Sequence, residues 1–320
     1  MRIVVTGGAG FIGSHYVRSL RGGAYPAFAG AHVVVLDLLT YAGTLTNLAG
    51  CDVEFVHGDI RDADTVARTL AGADVVVHFA AESHVDRSIA GAADFVSTNV
   101  VGTQVLLAGA LAAGVDRFVH VSTDEVYGSI DEGAWPETHP LAPSSPYSAS
   151  KAGSDLLARA YHRTHGLPVC ITRCSNNYGP YQFPEKVIPL FVTNLIDDLH
   201  VPLYGDGLNV RDWLHVDDHC RGIQLVLEQG LPGEIYNIGG GRELTNKELT
   251  DLLLQATGRT WESVDYVTDR LGHDRRYSVD HSKLAALGYR PRYSFEDGLA
   301  ETVRWYRDNR GWWEPLKARG

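Results

Sequence analysis

A short apolar run near the start of the chain leads into a glycine-rich turn, Thr6-Gly7-Gly8-Ala9-Gly10-Phe11-Ile12-Gly13, and a helical pattern follows it. A dinucleotide site requires this order: Gly7 permits the tight turn, Gly10 lets the backbone approach a pyrophosphate, and Gly13 permits close packing of helix on strand. The helix N-terminus then offers free N–H groups and a partial positive charge to the phosphates. The spacing is GxxGxxG instead of GxGxxG, and a purely structural turn would also use glycines.

Continuous apolar runs alternate with helical patterns over the first two-thirds of the chain. The runs are Ile3–Thr6, Val33–Asp37, Val53–His57, Val75–Phe79, Phe118–Ser122 and Val169–Arg173. Such runs predict a parallel sheet covered on both faces, and the βαβ alternation predicts an α/β fold, a Rossmann-type doubly wound parallel sheet. We expect the dinucleotide-binding domain over residues 1–175, with a later return at about 211–240. A smaller interleaved α/β substrate-binding region is expected over most of 176–320.

Asp37 ends the second predicted strand. A carboxylate there accepts hydrogen bonds from the ribose hydroxyls and repels a 2′-phosphate, and Leu38 supplies no positive charge to attract one. NAD is therefore favoured over NADP. Asp59 and Ile60 follow the third strand, where an adenine edge would lie, although Asp59 equally fits a helix N-cap.

Tyr147 and Lys151 lie four residues apart at the start of a predicted helix, so they share one face. A tyrosine is a poor base at neutral pH, but a neighbouring ammonium and a positive nicotinamide both favour its phenolate. Tyr147 would then take a proton from a sugar hydroxyl while hydride leaves the same carbon. An isolated YxxxK pattern is also a common surface coincidence, and the glycine turn makes that interpretation weaker here.

Thr123, Asp124 and Glu125 follow another apolar strand, at the sheet edge where ligands bind in α/β folds. Thr123 is placed to hydrogen-bond the same hydroxyl as Tyr147. Two carboxyl groups in one closed site should have separated pKa values, which provides one acid and one base. From the residues alone, one of the two carboxylates equally well caps the following turn.

These residues, in this order, resemble the extended short-chain dehydrogenase/reductase family, and within it the dTDP-glucose 4,6-dehydratases. The strings that carry the resemblance are TGGAGFIGS at 6–14, LTYAG at 39–43, AAESHVDRSI at 80–89, STDEVYG at 122–128, PYSASKA at 146–152, CSNNYGPYQFPEK at 174–186, GDGLNVRDWLHVDDH at 205–219 and GHDRRY at 272–277. The Thr-Asp-Glu triplet discriminates most, because related epimerases and decarboxylases lack the Asp-Glu pair. Two positions depart from the family: it often has lysine where this chain has Leu38, and usually proline where this chain has Leu271.

The resemblance implies a three-stage reaction on a nucleotide-sugar, dTDP-glucose. Tyr147 removes the proton of the carbon-4 hydroxyl while hydride passes to NAD. Glu125 takes the carbon-5 proton as Asp124 protonates the departing carbon-6 hydroxyl. Hydride then returns to carbon 6 and carbon 5 is reprotonated, giving dTDP-4-keto-6-deoxyglucose and water. The NAD is regenerated each turnover and remains tightly bound.

The resemblance also implies the remaining site residues. The catalytic set is Thr123, Asp124, Glu125, Tyr147 and Lys151. The cofactor-binding set is Gly7, Gly10, Phe11, Ile12, Gly13, Asp37, Leu39, Thr40, Asp59, Ile60, Phe79, Ala80, Ala81, Ser83, Thr98, Tyr147, Lys151 and Asn177. The substrate-binding set is Ser83, His84, Thr123, Asn176, Lys186, Val187, Pro202, Tyr204, Arg211, Asn246, His273, Arg276 and Tyr277.

The composition argues against some classes of binding partner. The net charge of -11 argues against nucleic acid or an anionic membrane surface as a partner. No stretch approaches the roughly 20 apolar residues of a membrane span, and the first strand leaves no room for a signal peptide. The four cysteines, Cys51, Cys170, Cys174 and Cys220, lack zinc-type spacing, so we expect free thiols, no metal and a cytoplasmic location.

Two predicted helices, near 92–113 and 148–165, are rich in alanine and leucine. This composition fits the helix layer that covers a sheet, and it equally fits a helical dimer interface. The family resemblance favours a homodimer built from these helices.

Two alternative functions remain open. A nucleotide-sugar 4-epimerase or decarboxylase would share the hydride step without the elimination. A non-catalytic NAD-sensing regulator would usually have lost the active tyrosine or lysine, whereas Tyr147 and Lys151 are both present.

Overall fold

Seven parallel strands form the central sheet of the computed structural model, which describes residues 1–317. They are β1 (Arg2–Thr6), β2 (His32–Asp37), β3 (Glu54–His57), β4 (Val75–His78), β5 (Arg117–Thr123), β6 (Val169–Cys174) and β10 (Ile235–Ile238), in the order β10-β6-β5-β4-β1-β2-β3. The chain reverses direction across the sheet between β1 and β4, and the carboxyl ends of strands at such a point open a ligand crevice. The predicted fold class is confirmed, and each predicted strand is within two residues of its observed bounds.

Two small sheets belong to the later part of the chain. One contains β7 (Asn176–Tyr178), β9 (Val210–His215) and β11 (Glu243–Thr245); the other pairs β8 (Val201–Tyr204) with β12 (Val264–Val267). In the first, β7 runs parallel and β11 antiparallel to β9. The division of the chain into two interleaved regions stays a prediction.

Helices cover both faces of the central sheet. The helices of residues 1–317 are α1 (Phe11–Arg21), α2 (Ala63–Leu70), α3 (Val85–Ala90), α4 (Ala93–Phe95), α5 (Thr103–Ala113), α6 (Pro146–His165), α7 (Val187–Ile196), α8 (Val216–Gln229), α9 (Asn246–Thr257), α10 (Ser282–Ala286), α11 (Phe295–Asp308) and α12 (Arg310–Lys317). Side chains of α1 and α8 form one core with the sheet, and side chains of α2, α5 and α6 form the core on the other face. A third core lies among α7, α9, α11 and α12.

One long helix runs from Ala93 to Ala113, because α4 and α5 are joined by a π-helical segment, Val96–Gly102. It has 21 residues, and an 18-residue window within it has a mean hydropathy of 1.5, so by length and composition it could span a membrane, which the sequence analysis did not expect. Length and composition are weak evidence, because the core helices of globular proteins meet the same criterion. Asn99, inside the π-helical segment, hydrogen-bonds both the Glu82 backbone and the Ser150 hydroxyl.

Candidate active site

The glycine turn joins β1 to α1 against the end of β4. Gly7 has a φ of +69°, and a Cβ there would lie 2.5 Å from the Ala80 backbone nitrogen. A Cβ on Gly13 would lie 2.3 Å from the Gly7 carbonyl oxygen. Helix α1 begins after Gly10 with no side-chain cap and no acidic residue in its first turn. The turn therefore leaves the helix N-terminus free for a pyrophosphate, as NAD requires.

Asp37 lies beside this turn. Its two oxygens accept hydrogen bonds from the backbone nitrogens of Ala9 (2.9 Å) and Leu39 (2.8 Å). Burial raises the pKa of Asp37, and these two hydrogen bonds oppose the rise. Leu38, which follows, is partly exposed and uncharged. The carboxylate retains further lone pairs for ribose hydroxyls, and no nearby cation of this loop would favour a 2′-phosphate.

The adenine end of the crevice contains an ion pair. Arg61 places its Nε 2.9 Å and 3.0 Å from the two carboxylate oxygens of Asp59, and its Nη1 also bonds the Ser97 hydroxyl. Hydrogen bonding by Arg61 is the main reason that the pKa of Asp59 is lowered. The N-cap of α2 is Asp62, so Asp59 does not serve that alternative role.

Strand β5 delivers the Thr-Asp-Glu triplet to the carboxyl edge of the sheet. The Thr123 hydroxyl caps the short 3-10 turn that follows, accepting from the Glu125 backbone N–H at 3.3 Å. Neither carboxyl group is used as that cap. Asp124 is buried, and its Oδ2 has no hydrogen-bond partner in the described part of the chain. That oxygen is free to exchange a proton with a ligand.

The two carboxyl groups have different surroundings. Burial raises the pKa of Asp124 well above its usual range, and the charges of Glu125 and Asp212 raise it further. Burial also raises the pKa of Glu125, but the nearby cations Arg270 and Lys186 oppose that rise. Asp124 is thus held as the protonated acid, and Glu125 is the better base.

Helix α6 carries Tyr147 and Lys151. The Ser145 hydroxyl caps this helix and Pro146 occupies its first turn, so the helix begins just before Tyr147. Lys151 is fully enclosed and its Nζ donates to the Val121 carbonyl at 2.8 Å. Burial lowers the pKa of Lys151 to about 8. Burial likewise raises the pKa of Tyr147 well above its usual range, so in this structure burial outweighs the expected effect of a neighbouring ammonium.

Two cations and one amide, Lys186, Arg211 and Asn176, lie in the same part of the structure as the triplet. Lys186 Nζ donates to the Ser83 carbonyl at 2.7 Å. Arg211 is buried, bonds the Asp274 carbonyl at 2.9 Å and lies 4.2 Å above the Tyr277 ring. Asn176 Oδ1 is buried without a hydrogen-bond partner within residues 1–317. Two positive charges and an unused amide suit the diphosphate of a nucleotide-sugar.

A single cavity of about 550 Å³ connects these groups. The predicted residues that line it are Gly7, Gly10, Phe11, Ile12, Gly13, Asp37, Thr40, Asp59, Ile60, Phe79, Ala80, Ala81, Ser83, His84, Thr98, Thr123, Asp124, Glu125, Tyr147, Lys151, Asn176, Asn177, Lys186, Val187, Pro202, Tyr204, Arg211, Asn246 and His273. The residues predicted to bind a dinucleotide and those predicted to bind a sugar therefore line one continuous space.

Three predicted residues do not reach the cavity wall. Leu39 has a φ of +53° and packs into the core, so that Leu38 lines the cavity in its place. Arg276 is engaged with both carboxylate oxygens of Glu243 at 2.7 Å. Tyr277 is buried beneath Arg211, with its hydroxyl 2.6 Å from Asp274. Its contacts place it behind Arg211 and not against a ligand.

The cavity also has charged residues that the sequence analysis missed. Arg270 lines it with a buried, unpartnered Nε, and its Nη1 lies 3.6 Å from Asp86. Glu185 lines it as well and accepts a hydrogen bond from the Tyr41 hydroxyl at 2.8 Å. Glu185 lies inside the string at 174–186, and Arg270 lies two residues before the string at 272–277, so closeness to these strings was the available signal.

Within residues 1–317, no group of three or more His, Cys, Asp or Glu side chains is arranged to hold a metal ion. The four cysteines are free thiols, three of them buried.

Comparison with known proteins decides the family. The model of the GDP-mannose 4,6 dehydratase family matches residues 4–302. A dTDP-glucose 4,6-dehydratase of Streptomyces antibioticus is 65% identical over 100% of this chain and 96% of the relative. This chain belongs to the dTDP-glucose 4,6-dehydratase family. The resemblance read from the sequence is confirmed.

Solved structures of this family and its neighbours agree. The dTDP-glucose 4,6-dehydratase DesIV of Streptomyces venezuelae, solved with NAD bound, has a TM-score of 0.98 and 68% identity, covering 99% of this chain and 100% of that one. A UDP-glucose 4-epimerase of Thermotoga maritima has a TM-score of 0.89 and 35% identity, covering 96% and 99%. Because epimerases share the fold, the fold alone does not separate the two activities.

Proposed function

We propose that this protein converts dTDP-glucose to dTDP-4-keto-6-deoxyglucose and water, with a tightly bound NAD that each turnover regenerates. The observation that carries the proposal is the Asp124–Glu125 pair, an acid and a base side by side at the end of β5 and in one cavity with Tyr147. The activity and the cofactor expected from the sequence are confirmed by the relatives, which are dTDP-glucose 4,6-dehydratases and include structures with NAD bound.

The proposed cofactor residues fit NAD. The Gly7–Gly13 turn would receive the pyrophosphate, Asp37 the adenosine ribose, and Asp59 with Ile60 the adenine edge. When bound, NAD supplies a hydride acceptor for carbon 4 of the sugar and a hydride donor for carbon 6. Tyr147 and Lys151 line the same cavity as the adenine residues, and they would contact the nicotinamide ribose and the sugar.

Tyr147 serves the first stage as the base for the carbon-4 hydroxyl. Its phenolate is unfavourable in a buried site, so it needs the positive charges of Lys151 and of the oxidised nicotinamide ring. The nearby Thr123 hydroxyl lowers the pKa of Tyr147, and both groups would face the same sugar hydroxyl. The proton held on Tyr147 is available for the later steps.

Asp124 and Glu125 serve the elimination. Oxidation at carbon 4 acidifies the proton on carbon 5, and Glu125 removes it. Asp124, which burial keeps protonated, donates its proton to the departing carbon-6 hydroxyl. The adjacent positions of the two carboxyls on an irregular turn let them address neighbouring carbons of one sugar.

Substrate binding is proposed for the side of the cavity that faces Lys186 and Arg211. These cations and Asn176 would hold the diphosphate, with Ser83 and His84 near the sugar. Burial lowers the pKa of His84 to about 4, so it binds as a neutral imidazole. Val187, Pro202, Tyr204, Asn246 and His273 would enclose the nucleotide. Arg276 and Tyr277 would support that clamp from behind the wall.

A Glu125→Gln variant tests the activity. Dehydration of dTDP-glucose should slow by about 100-fold or more, because loss of a general base typically costs that much. The 4-keto sugar and reduced nicotinamide should then accumulate, visible by near-ultraviolet absorbance. Tyr147→Phe should yield no reduced nicotinamide at all, and Glu132→Gln, an exposed carboxyl substitution, should behave as the unmodified protein.

Dehydration at an unchanged rate in Glu125→Gln would refute the assignment. An isotope measurement on the unmodified protein is independent of that variant. In deuterated water, without added NAD, the product should lack one water and carry deuterium at carbon 5. A simple carbon-4 epimer would show that the protein is an epimerase instead.

A homodimer is proposed for the helical face formed by α5 and α6. Large apolar side chains are between 37% and 53% exposed on this face: Val96 and Val101 of the adjoining π-helical segment, Leu111 of α5 and Leu156 of α6. A contiguous apolar face marks an interaction surface, and a two-fold axis lets one such face bury its copy. A cytoplasmic location is proposed with it, because the buried free thiols suit a reducing compartment.

A further inference from the structure

Behind the Tyr147–Lys151 pair lies an ion pair that the proposed steps do not use. Asp155 and Arg173 are both inaccessible to solvent, with Arg173 Nε 2.8 Å from Asp155 Oδ2. His120 Nε2 lies 3.3 Å from the other carboxylate oxygen and 3.2 Å from the Ser154 hydroxyl. The guanidinium also covers the Tyr127 ring at 4.6 Å.

Such a pair is a poor means of gaining stability. Moving two charges out of water costs several kcal/mol for each ion, and well-packed apolar side chains are often as stable or more so. Both Nη atoms of Arg173 lack hydrogen-bond partners within the described chain, so the pair is not even fully satisfied. A function in the neighbouring site explains the charges better.

The position of Asp155 on α6 indicates what that function is. Asp155 follows Lys151 by four residues on the same helix, so the two side chains are neighbours on one helical face. Lys151 is enclosed and donates one hydrogen bond, to the Val121 carbonyl. No carboxylate forms an ion pair with its ammonium in the structure of residues 1–317, so Asp155 is the anion one turn away.

The other groups facing this pair can be named. Strands β4, β5 and β6 contribute His78, His120, Arg173 and Cys174, and the 3-10 turn after β5 contributes Asp124, Glu125 and Tyr127. Burial lowers the pKa of His78 and of His120, so both imidazoles are neutral. Burial raises the pKa of Cys174, which stays a thiol.

We propose that Asp155 is a positioning residue for the first stage of the reaction: its buried carboxylate keeps Lys151 protonated, and Arg173 limits how strongly it does so. Lys151 in turn stabilises the phenolate of Tyr147. The inference rests on the proposed function, because the pair Tyr147–Lys151 has this task only if a sugar hydroxyl is deprotonated there.

The charge states support the geometry. Burial alone would raise the pKa of Asp155, but the positive charge of Arg173 and the neighbouring His120 bring it to about 2. Asp155 is therefore an anion throughout the working range. Burial lowers the pKa of Lys151 to about 8, and Asp155 is the largest influence against that fall.

The test uses charge changes of opposite sign at the two ends of one ion pair. Asp155→Asn removes the anion and leaves Arg173, whereas Arg173→Gln removes the cation and leaves Asp155. Each is made in the Glu125→Gln background, in which reduced nicotinamide accumulates and reports the oxidation step alone. The rate is measured against pH, and thermal unfolding is recorded for every variant.

For the parent Glu125→Gln protein, the rate should rise as Tyr147 ionises and fall as Lys151 loses its proton. Asp155→Asn should move the alkaline limb to lower pH by about half a unit or more, because Lys151 loses the anion that favours its charged form; it should not move the acid limb to higher pH, because losing an anion also favours the phenolate of Tyr147. Arg173→Gln should move the alkaline limb to higher pH. Asp155→Glu should restore the parental profile.

A structural role would give a different pattern. Both variants lose the same ion pair, so both should melt at lower temperature whatever Asp155 does. An alkaline limb that stays in place, or that moves in the same direction in both variants, would overturn the inference. If Asp155→Asn does not fold, Arg173→Gln and Asp155→Glu still decide it. Failure of the unmodified protein to dehydrate dTDP-glucose would instead reject the proposed function.

Discussion

Gly7 shows how one residue couples the fold to the site. Its positive φ turns the chain from β1 into α1, and its missing side chain lets that turn lie against the backbone that follows β4. The ends of two neighbouring strands therefore meet where a pyrophosphate must approach the main chain. No other residue type satisfies both conditions at once.

Gly7→Ala should therefore lose NAD and stability together. A Cβ at 2.5 Å from Ala80 N forces the backbone to shift, in addition to about 1–2 kcal/mol for the left-handed conformation. Gly23→Ala is the matched control, since Gly23 has a φ of +78° but open space around it. It should cost only the conformational part and keep its NAD. The NAD content of purified protein and chemical denaturation measure both effects, and equal losses in the two variants would contradict the explanation.

Residue identity alone left the roles of Asp124 and Glu125 open, and their environment separates them. The separation depends on Arg270, Lys186 and Asp212, which come from segments far apart in the chain. The same reason explains why Arg276 and Tyr277 were expected at the cavity wall. A motif names neighbours in sequence, whereas side-chain direction along an extended segment decides which of them face a ligand.

At the scale of elements, continuous apolar runs predicted all of the first six strands. Parallel strands covered on both faces read as near-continuous apolar runs, and the bounds agree within two residues. The helices expected near 92–113 and 148–165 are found at Ala93–Ala113 and Pro146–His165. The small sheets were not predicted individually, because four of their five strands have only three or four residues, too few to show a periodicity.

The exposed face of α5 and α6 leads to a prediction about the oligomeric state. Leu156→Glu places a charge on a leucine that is 53% exposed, and it should convert a dimer into a monomer because an unpaired charge is costly in an apolar interface. Leu231→Glu is the control, since Leu231 is 66% exposed outside those helices. Light scattering after gel filtration gives the mass, and a monomeric unmodified protein would contradict the proposed dimer.

The residues that line the cavity are supported by three separate hydrophobic cores. Two cores flank the central sheet and fix the residues expected to bind NAD, whereas a third, among α7, α9, α11 and α12, supports Val187 and Asn246. The order of strands in the central sheet was beyond sequence reasoning, since apolar runs do not state which strands pair. The doubly wound class followed from the alternation alone.

Trp313→Ala tests the separate support of the third core. Trp313 is fully buried, with its Nε1 2.7 Å from the Tyr306 carbonyl, and its removal should lower the free energy of unfolding by about 3–5 kcal/mol. Affinity for dTDP should fall more than NAD content does. Trp312→Ala, at a partly buried tryptophan, should cost less. Calorimetric titration with dTDP gives the affinity, and equal losses of nucleotide and NAD would contradict this division.

The π-helical segment Val96–Gly102 has a consequence for how the chain tolerates changes in length. A π-helical turn holds one residue more than an α-helical turn does. Deleting one residue there would leave a regular α-helix, but it would rotate the preceding part by about 100° relative to α5. Thr98 and Asn99 would lose their alignment with the cavity and with Ser150. Relatives should therefore vary in length in surface loops and keep this segment free of insertions and deletions.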